Sequence, residues 1–112
     1  MFPQGVRLKA GRPFAQVLRK GQKGSTPFFR LRWQANLKGQ HRVAVVVSRK
    51  FSTKAVRRNR IKRQVRALLT NELPSLKKID LVIYVNQQAY GKNYQDLTAE
   101  LRQALKKNNL YA

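Results

Sequence analysis

Apolar residues recur along the chain at two spacings, and the longer spacing predicts helices. Within residues 12–20, Phe14, Val17 and Leu18 lie three and four positions apart, so they share one side of a helix. Gly21 follows directly and is typical of a helix end. We therefore expect a short amphipathic helix near the start of the chain.

Two longer helices are predicted in the second half of the chain. The first uses Ser52 or Thr53 as its N-cap and runs to about Asn71. The second begins at Asn93, and Asp96 three residues later is a candidate reciprocal capping partner. The inward-facing residues are predicted to be Ile61, Val65, Leu68 and Leu69 in the first helix, and Leu97, Leu101, Ala104 and Leu105 in the second.

The shorter spacing predicts strands. Residues 28–37 alternate apolar with basic side chains, as a half-buried strand does. Residues 42–48 are almost wholly apolar, which favours a central strand that pairs with the first one as a hairpin, and residues 80–86 form another apolar strand. Residues 21–24 are predicted to be a loop. In the alternating strand one face carries Phe29, Leu31 and Trp33, and the other carries Phe28, Arg30 and Arg32.

The predicted element order is α-β-β-(β)-α-β-α, with an optional third strand before the long helix. This order indicates an α+β fold, a two-layer sandwich in which helices pack on a small mixed sheet. The chain has 112 residues, of which 42% are hydrophobic, enough for one core but not for two. No repeat or linker divides it, so residues 1–112 are expected to form a single domain.

Charge is the feature that points to a partner. The chain has 25 Lys and Arg residues against four acids, which gives a formal net charge of +21. Since most cations can find no acidic neighbour, their mutual repulsion weakens the isolated fold, and a polyanion would relieve it. Nucleic acid is the favoured partner, and an anionic membrane surface is the main competitor. The four acids are Glu72, Asp80, Asp96 and Glu100.

Several other functions find little support in the sequence. The longest apolar runs, 43–47 and 81–85, are too short to span a bilayer, which takes about 20 residues. The chain has no cysteine, so it offers neither disulfides nor thiolate metal ligands, which suits a reducing cytoplasm. The single histidine, His41, is expected to lie solvated in a hairpin turn. No catalytic residue and no metal site are expected in the protein.

Basic residues are densest in 54–66, where seven of thirteen residues are Lys or Arg. With Ile61 facing inward and about 100° between successive helix residues, Arg58 falls at the edge of the apolar stripe, partly packed against the sheet. Arginine forks match phosphate oxygens, and lysine adds point charge. The residues on the far side of the helix form a compact cationic patch: Asn59, Lys62, Arg63 and Arg66.

Aromatic and basic residues alternate in the first third of the chain. Unpaired bases stack on aromatic rings and guanidinium planes, so this mixture favours single-stranded RNA. More than half of these aromatics are expected to fill the core instead. The aromatics are Phe14, Phe28, Phe29 and Trp33, set among Arg19, Lys20, Arg30 and Arg32.

The sequence of residues 58–66, Arg-Asn-Arg-Ile-Lys-Arg-Gln-Val-Arg, resembles the basic helix of the protein subunit of bacterial ribonuclease P. Residues 42–50 resemble the central strand of that family with its following basic residues, and residues 80–83 resemble its last strand. The likeness spans nearly the whole chain. It implies the family's left-handed βαβ crossover, which departs from the usual right-handed preference.

The resemblance also implies a function. Family members bind a catalytic RNA, and together they remove the 5′ leader of precursor tRNA, with the RNA holding Mg²⁺ and performing the hydrolysis. The protein would be the accessory subunit of this bacterial, cytoplasmic endonuclease. Its expected leader cleft comprises Phe14, Phe29, Arg32, Ser48 and Lys50, with Arg58 and Asn59 at the margin. Its expected RNA-binding helix residues are Arg58, Asn59, Arg60, Lys62, Arg63 and Arg66, of which Arg63 and Arg66 would face the catalytic RNA.

Two alternatives remain open at this point. A structural ribosomal or ribosome-assembly protein has the same composition, but it would bind folded ribosomal RNA and need no leader cleft. An architectural DNA-binding protein is the weaker alternative, and neither DNA nor a membrane is expected as a partner. Co-purification with ribosomal subunits, or with a small RNA of its own, separates the first alternative from the ribonuclease P interpretation.

Overall fold

The computed structural model describes residues 7–8, 11–36 and 39–112, so the end of the predicted strand 28–37, at Leu37, lies outside the described residues. Short 3₁₀ helices at Leu73–Ser75 and Gln87–Ala89 precede and follow the last strand. The main elements in chain order are α1 (Arg12–Lys20), β1 (Gln22–Ser25), β2 (Phe29–Ala35), β3 (Arg42–Val47), α2 (Ala55–Glu72), β4 (Ile79–Val85) and α3 (Tyr94–Lys107).

The four strands form one mixed sheet in the order β1-β2-β4-β3. The β1–β2 and β2–β4 pairs are antiparallel, and the β3–β4 pair is parallel. This confirms the predicted α+β fold with a small mixed sheet, and it confirms α1 at its predicted limits. The handedness of the β3–α2–β4 connection stays a prediction of the resemblance.

The predicted pairing of the first two long strands is wrong, because β4 lies between β2 and β3. Strand β3 is therefore an edge strand, and β4 takes the central position that the sequence predicted for β3. The physical reason is burial: six of the seven residues of β4 are buried, whereas β3 has two. An apolar run shows that both faces of a strand are covered, but it does not identify the strand's neighbours.

The predicted loop at 21–24 is also wrong, since residues 22–25 form β1. Its sequence, Gln-Lys-Gly-Ser, is polar because β1 is a mostly exposed edge strand. Only its pairing with the free edge of β2, from Gln22 opposite Trp33 to Ser25 opposite Arg30, makes it a strand.

Helices cover both faces of the sheet. Helices α2 and α3 pack on one face, where they bury the alternate residues Phe29, Leu31 and Trp33 of β2 in the main core. Helix α1 packs over β2 and β4 on the other face, where Val17 and Val82 are completely buried. Helix α1 thus adds a partial third layer to the expected two, and it leaves part of its face of the sheet open.

The predicted apolar stripes of α2 and α3 are confirmed, because all eight residues are buried. The N-cap prediction for α2 is wrong: Lys54 holds that position, and the hydroxyl of Ser52 accepts a hydrogen bond from the Lys54 N–H at 3.1 Å. The predicted Asn93 cap of α3 is confirmed, since the Asn93 side chain accepts from the Asp96 N–H at 2.8 Å, while the reciprocal bond to the Asp96 side chain stays a prediction.

Candidate nucleic-acid interface

An open groove runs along the face of the sheet beside α1. It consists of two cavities, of about 310 and 360 Å³, which both border Arg30. The first extends from Arg30 towards β1, and the second extends towards the segment that follows β3. We call this feature the sheet groove, and its polar lining includes Lys23, Arg30, Arg32, Ser48, Lys50 and Tyr84.

Arg30 and Tyr84 form a platform where the two cavities meet. They are cross-strand partners on β2 and β4, and the guanidinium carbon of Arg30 lies 4.9 Å from the centre of the Tyr84 ring. A stacked guanidinium and phenol offer flat surfaces to an unpaired base, and the free donors of the arginine suit phosphate. Sequence reasoning did not select Tyr84, since the pair becomes visible only once β2 is known to lie beside β4.

The aromatic residues divide between the two faces of the sheet. Phe14 is half-buried on α1 and packs against the buried cluster of Leu8, Val17 and Val82, on the same face of the sheet as the groove. It is not among the residues that line either cavity of the groove. Phe29 is completely buried on the opposite face. The expected role of Phe29 in the leader cleft is therefore wrong, because the alternation of β2 directs its ring into the main core.

Arg32 lines the groove, but part of its guanidinium is already used. It donates a hydrogen bond to the carbonyl of Leu18 in the last turn of α1. A cation at this position satisfies a free helix carbonyl and complements the helix dipole. Arg32 therefore holds α1 on the sheet, in addition to its contribution of positive charge to the groove.

Ser48 and Lys50 are both exposed at the far end of the groove. The Ser48 hydroxyl accepts from the Lys50 N–H at 3.2 Å, and the Lys50 carbonyl accepts from the Gln87 amide at 2.7 Å. These bonds fix the turn after β3 against the segment after β4, and they leave the ammonium group of Lys50 free to meet an anion.

The basic residues of α2 lie on two different flanks of the helix. The predicted patch, which we call the α2 patch, consists of Asn59, Lys62, Arg63 and Arg66, and each of these is exposed or half-buried. Arg60 lies on the other flank, beside Tyr90. Arg58 is half-buried, as expected at the edge of the stripe, and it donates to the Ser52 carbonyl at 2.9 Å.

Arg66 is the member of the α2 patch whose guanidinium is partly buried and incompletely hydrogen-bonded. Its Nε atom is buried and has no hydrogen-bond partner among the described residues. Burial lowers the pKa of the Arg66 guanidinium, and the positive charge of Arg7 lowers it further. Arg7 pairs with Val43 along the outer edge of β3. A phosphate near both guanidinium groups would offset the repulsion between Arg66 and Arg7, a residue that the sequence did not single out.

Three of the four acidic side chains have structural partners. Asp80 is buried and bonded to Arg42, Glu72 accepts from Arg102 and Tyr111, and Glu100 accepts from the Phe28 N–H. Among the described residues, no group of three His, Cys, Asp or Glu side chains could hold a metal ion. Within the same part of the chain the salt bridges are Arg42–Asp80 and Arg102–Glu72, so most cations have no acidic partner.

The sequence predicted that His41 lies solvated in a hairpin turn, and this prediction is wrong. His41 is half-buried, and its Nε2 lies 3.0 Å from the Leu76 carbonyl. The reason is that β3 pairs with β4, which brings the start of β3 beside the segment that leads into β4.

In the described ranges, no helix is both long enough and apolar enough to cross a membrane.

The protein has an α+β fold whose mixed sheet carries a cationic groove on one face and a basic helix on the other. These features define a nucleic-acid-binding protein. Comparison with known proteins identifies which one. The model of the family described as Ribonuclease P matches residues 2–109. The chain belongs to this family, as the protein component of bacterial ribonuclease P.

Relatives and solved structures agree with this assignment. The Ribonuclease P protein component of a Synechocystis strain is 36% identical over 91% of this chain and 84% of its own. That of a Pseudanabaena strain is also 36% identical, over 96% and 94%. The RNase P protein from Thermotoga maritima is 26% identical, has a TM-score of 0.81 and covers 90% of this chain and 96% of its own. A Staphylococcus aureus RNase P protein mutant, 23% identical over 96% and 92%, has the same fold with a TM-score of 0.90.

Membership of the family establishes the general role of the chain. It is the accessory subunit of a ribonucleoprotein endonuclease that processes the 5′ end of tRNA, and its partner in that particle is the ribonuclease P RNA. The alternative of a structural ribosomal or assembly protein is not favoured.

Proposed function

We propose that the protein presents two separate RNA-binding surfaces. The sheet groove binds the single-stranded 5′ leader of precursor tRNA, and the α2 patch binds the ribonuclease P RNA. The observation that carries this proposal is the Arg30–Tyr84 stack at the centre of an open, cationic groove. A protein that only neutralised RNA phosphates would not need a stacking platform.

The groove suits a single strand of RNA. Its floor offers the Tyr84 ring and the Arg30 plane to bases, with Phe14 packed on the same face of the sheet, and its end offers Lys50 to phosphates. Base stacking of this kind tolerates any sequence, because every base has a flat face. The site would therefore accept the varied leaders of different precursor tRNAs.

The α2 patch suits folded RNA. Arg63 is exposed and Arg66 is half-buried, and neither forms a salt bridge with any described residue, so a phosphate that meets both guanidinium groups gains charge-assisted hydrogen bonds without displacing a carboxylate. Arg7 extends the same positive region towards the edge of β3. This surface lies on α2, whereas the groove lies beside α1, so the two RNAs need not compete.

Mg²⁺ would be held mainly by the partner RNA, which also performs the hydrolysis. In the protein, the carboxylates of Asp80, Glu72 and Glu100 already accept hydrogen bonds from other residues. The contribution of the protein is then to bind the leader, to orient it and to reduce the repulsion between two RNAs. The proposed location is the bacterial cytoplasm, where precursor tRNA is made.

Reconstitution with the cognate RNA tests the two surfaces separately. The double variant Arg30→Ala/Tyr84→Leu should lower the affinity for precursor tRNA, by roughly tenfold or more, and leave the affinity for mature tRNA unchanged. Arg63→Ala/Arg66→Ala should instead weaken assembly with the catalytic RNA. The matched control is Arg102→Ala/Lys106→Ala on α3, which removes two exposed cations outside both surfaces.

The same assay contains the results that would overturn the proposal. If wild-type protein does not accelerate leader removal at low Mg²⁺, the subunit role in this reaction fails. If the groove variant loses affinity equally for precursor and mature tRNA, the groove does not bind the leader. Stronger binding of the wild-type protein to duplex DNA than to RNA would contradict both assignments.

A further inference from the structure

A third cavity, of about 200 Å³, lies on the flank of α2 opposite the α2 patch. Its walls come from the first half of α2 and from the segment between β4 and α3. The functions proposed above do not use it. We call it the Tyr90 pocket, and its principal lining residues are Phe51, Arg57, Arg60, Tyr90 and Lys92.

Tyr90 is exposed and yet held in place. Its side chain is 44% exposed, and its ring centre lies 5.3 Å from that of Phe51, which is buried. The Arg57 guanidinium lies 5.6 Å from the ring centre and donates a hydrogen bond to the phenol oxygen. A ring fixed in this way loses little conformational freedom when a flat partner stacks on it.

The charge around this ring is entirely positive. Arg57, Arg60 and Lys92 line the cavity, and no carboxylate does. Three cations beside an exposed aromatic ring match a ligand that combines a flat group with negative charge. A nucleotide has both properties, whereas an acidic peptide has the charge without the flat group.

The position of the pocket connects it to the sheet groove. Phe51 lines both the Tyr90 pocket and the larger cavity of the groove. The bond from the Gln87 amide to the Lys50 carbonyl holds the segment carrying Tyr90 against the end of the groove. An RNA strand that leaves the groove past Lys50 therefore meets the Tyr90 pocket next.

We propose that the Tyr90 pocket binds an unpaired RNA nucleotide, with its base against Tyr90 and its phosphates near Arg60 and Lys92. This inference rests on the proposed function, because it extends the path of RNA beyond the groove. Continuity with the groove favours the leader as the source of the nucleotide, and a nucleotide of the catalytic RNA is the other source with the same chemistry.

The test uses the reconstituted holoenzyme and precursor tRNAs with leaders of increasing length. Tyr90→Leu keeps an apolar side chain beside Phe51 but removes the aromatic ring. It should lower the affinity for long leaders by roughly tenfold and leave the shortest leader unaffected. Tyr90→Phe retains the ring and should remain within about threefold of wild type. The matched control is Tyr94→Leu, which removes an equally exposed tyrosine, 49% accessible, at the start of α3.

The second arm measures assembly with the catalytic RNA alone. A loss in this arm, equal for all leader lengths, assigns the nucleotide to the catalytic RNA and still supports the pocket. If Tyr90→Leu equals wild type in both arms while wild type keeps its preference for long leaders, the pocket proposal is overturned and the proposed function stands. If wild type shows no leader preference, the proposed function fails and the assembly arm alone decides the pocket.

Folding of the variants is checked by the fluorescence of Trp33, the single tryptophan, which is buried. If Tyr90→Leu proves unfolded, Arg60→Ala/Lys92→Ala provides the second variant, since both side chains are exposed. The aromatic neighbour of Lys92 is the half-buried Phe28, whose ring centre lies 5.7 Å from its ammonium nitrogen. The double variant should produce the same dependence on leader length and also a shallower salt dependence of binding. Binding equal to that of wild type at every leader length would overturn the proposal.

Discussion

Arg42 and Asp80 form a buried, two-pronged ion pair across the parallel strands β3 and β4. The two residues are directly opposite in register, and the guanidinium donates two hydrogen bonds of 2.7 Å to the carboxylate. Their side chains are only 17% and 7% exposed. The pair therefore fixes the start of the edge strand β3 against β4.

Removal of Arg42 should be strongly destabilising. Arg42→Ala leaves the Asp80 carboxylate buried without its cation, so we expect the free energy of unfolding to fall by about 3–5 kcal/mol. Urea denaturation followed by Trp33 fluorescence measures the change. Arg102→Ala is the matched control, because Arg102 is 63% exposed in its pair with Glu72, and its loss should cost about 1 kcal/mol or less. Equal costs for the two variants would show that the buried pair does not secure β3.

The two phenylalanines that the sequence placed together should behave differently when substituted. Phe14→Ala should chiefly reduce the preference of the holoenzyme for precursor over mature tRNA, because Phe14 packs on the same face of the sheet as the groove. Phe29→Ala should cost about 3–5 kcal/mol of stability, because it empties a site in the core. At temperatures where it remains folded, the Phe29 variant should keep the wild-type preference. Paired titrations with precursor and mature tRNA measure this preference. If the folded Phe29 variant loses its preference for precursor tRNA, Phe29 contributes to leader binding after all.

Salt dependence should distinguish the α2 patch from exposed cations elsewhere. If 6–10 phosphates are neutralised, the affinity for catalytic RNA should fall roughly 10³–10⁵-fold between 50 and 200 mM salt. Arg63→Ala/Arg66→Ala should reduce the slope of log affinity against log salt by about 2, and Arg7→Ala by about 1. Arg102→Ala should leave the slope unchanged. A flat response of the wild-type protein to salt would contradict every nucleic-acid interpretation.

Tyr111 should make stability fall at high pH. Burial, and then the hydrogen bond to Glu72 with its negative charge, raises the pKa of Tyr111 above its ordinary value of 10.0. The folded state therefore keeps a proton that the unfolded chain releases. The contribution is complete below about pH 10 and is lost as the pH rises towards the folded-state pKa.

Urea unfolding of wild type and Tyr111→Phe between pH 8 and 11 tests this expectation. Wild type should lose stability relative to the variant above about pH 10, and the titration of lysines cancels in the difference. Tyr94→Phe, which alters an exposed tyrosine on α3, is the control. Parallel pH profiles for wild type and Tyr111→Phe would show that the Tyr111 phenol is not held in its neutral form.

Local patterns were sufficient to predict the helices. The three- and four-residue spacing of α1, the stripe of α2 and the Asn93 cap are properties of neighbours along the chain, so the sequence contains them directly. The phase of Ile61 likewise placed Asn59, Lys62, Arg63 and Arg66 on one flank of α2. The excess of cations needed no structure at all, because four acids cannot neutralise 25 basic residues.

Strand pairing and the groove required the tertiary structure. The Arg30–Tyr84 stack, the bond from Arg32 to α1, and Arg7 beside Arg66 each join residues far apart in the sequence.

The alternation of β2 correctly grouped Phe29, Leu31 and Trp33 on one face, but it did not show that this face was the core. That choice depends on which helices cover each side of the sheet. The prediction that Phe28 lies on the other face is wrong, because Phe28 precedes β2 and its ring packs against the same core, with its centre 6.4 Å from that of Phe29.

The sequence by itself determined that this protein is cationic, that it has three amphipathic helices, and that one of them carries a basic flank. Net charge is a sum over residues, and helical periodicity depends only on positions that are close together in the chain. Only the tertiary structure decided that β4 separates β2 from β3, and hence that Arg30 meets Tyr84 while Phe29 is buried. The physical reason is that strand order is set by the burial of whole faces against distant helices, and no local window of sequence contains those helices.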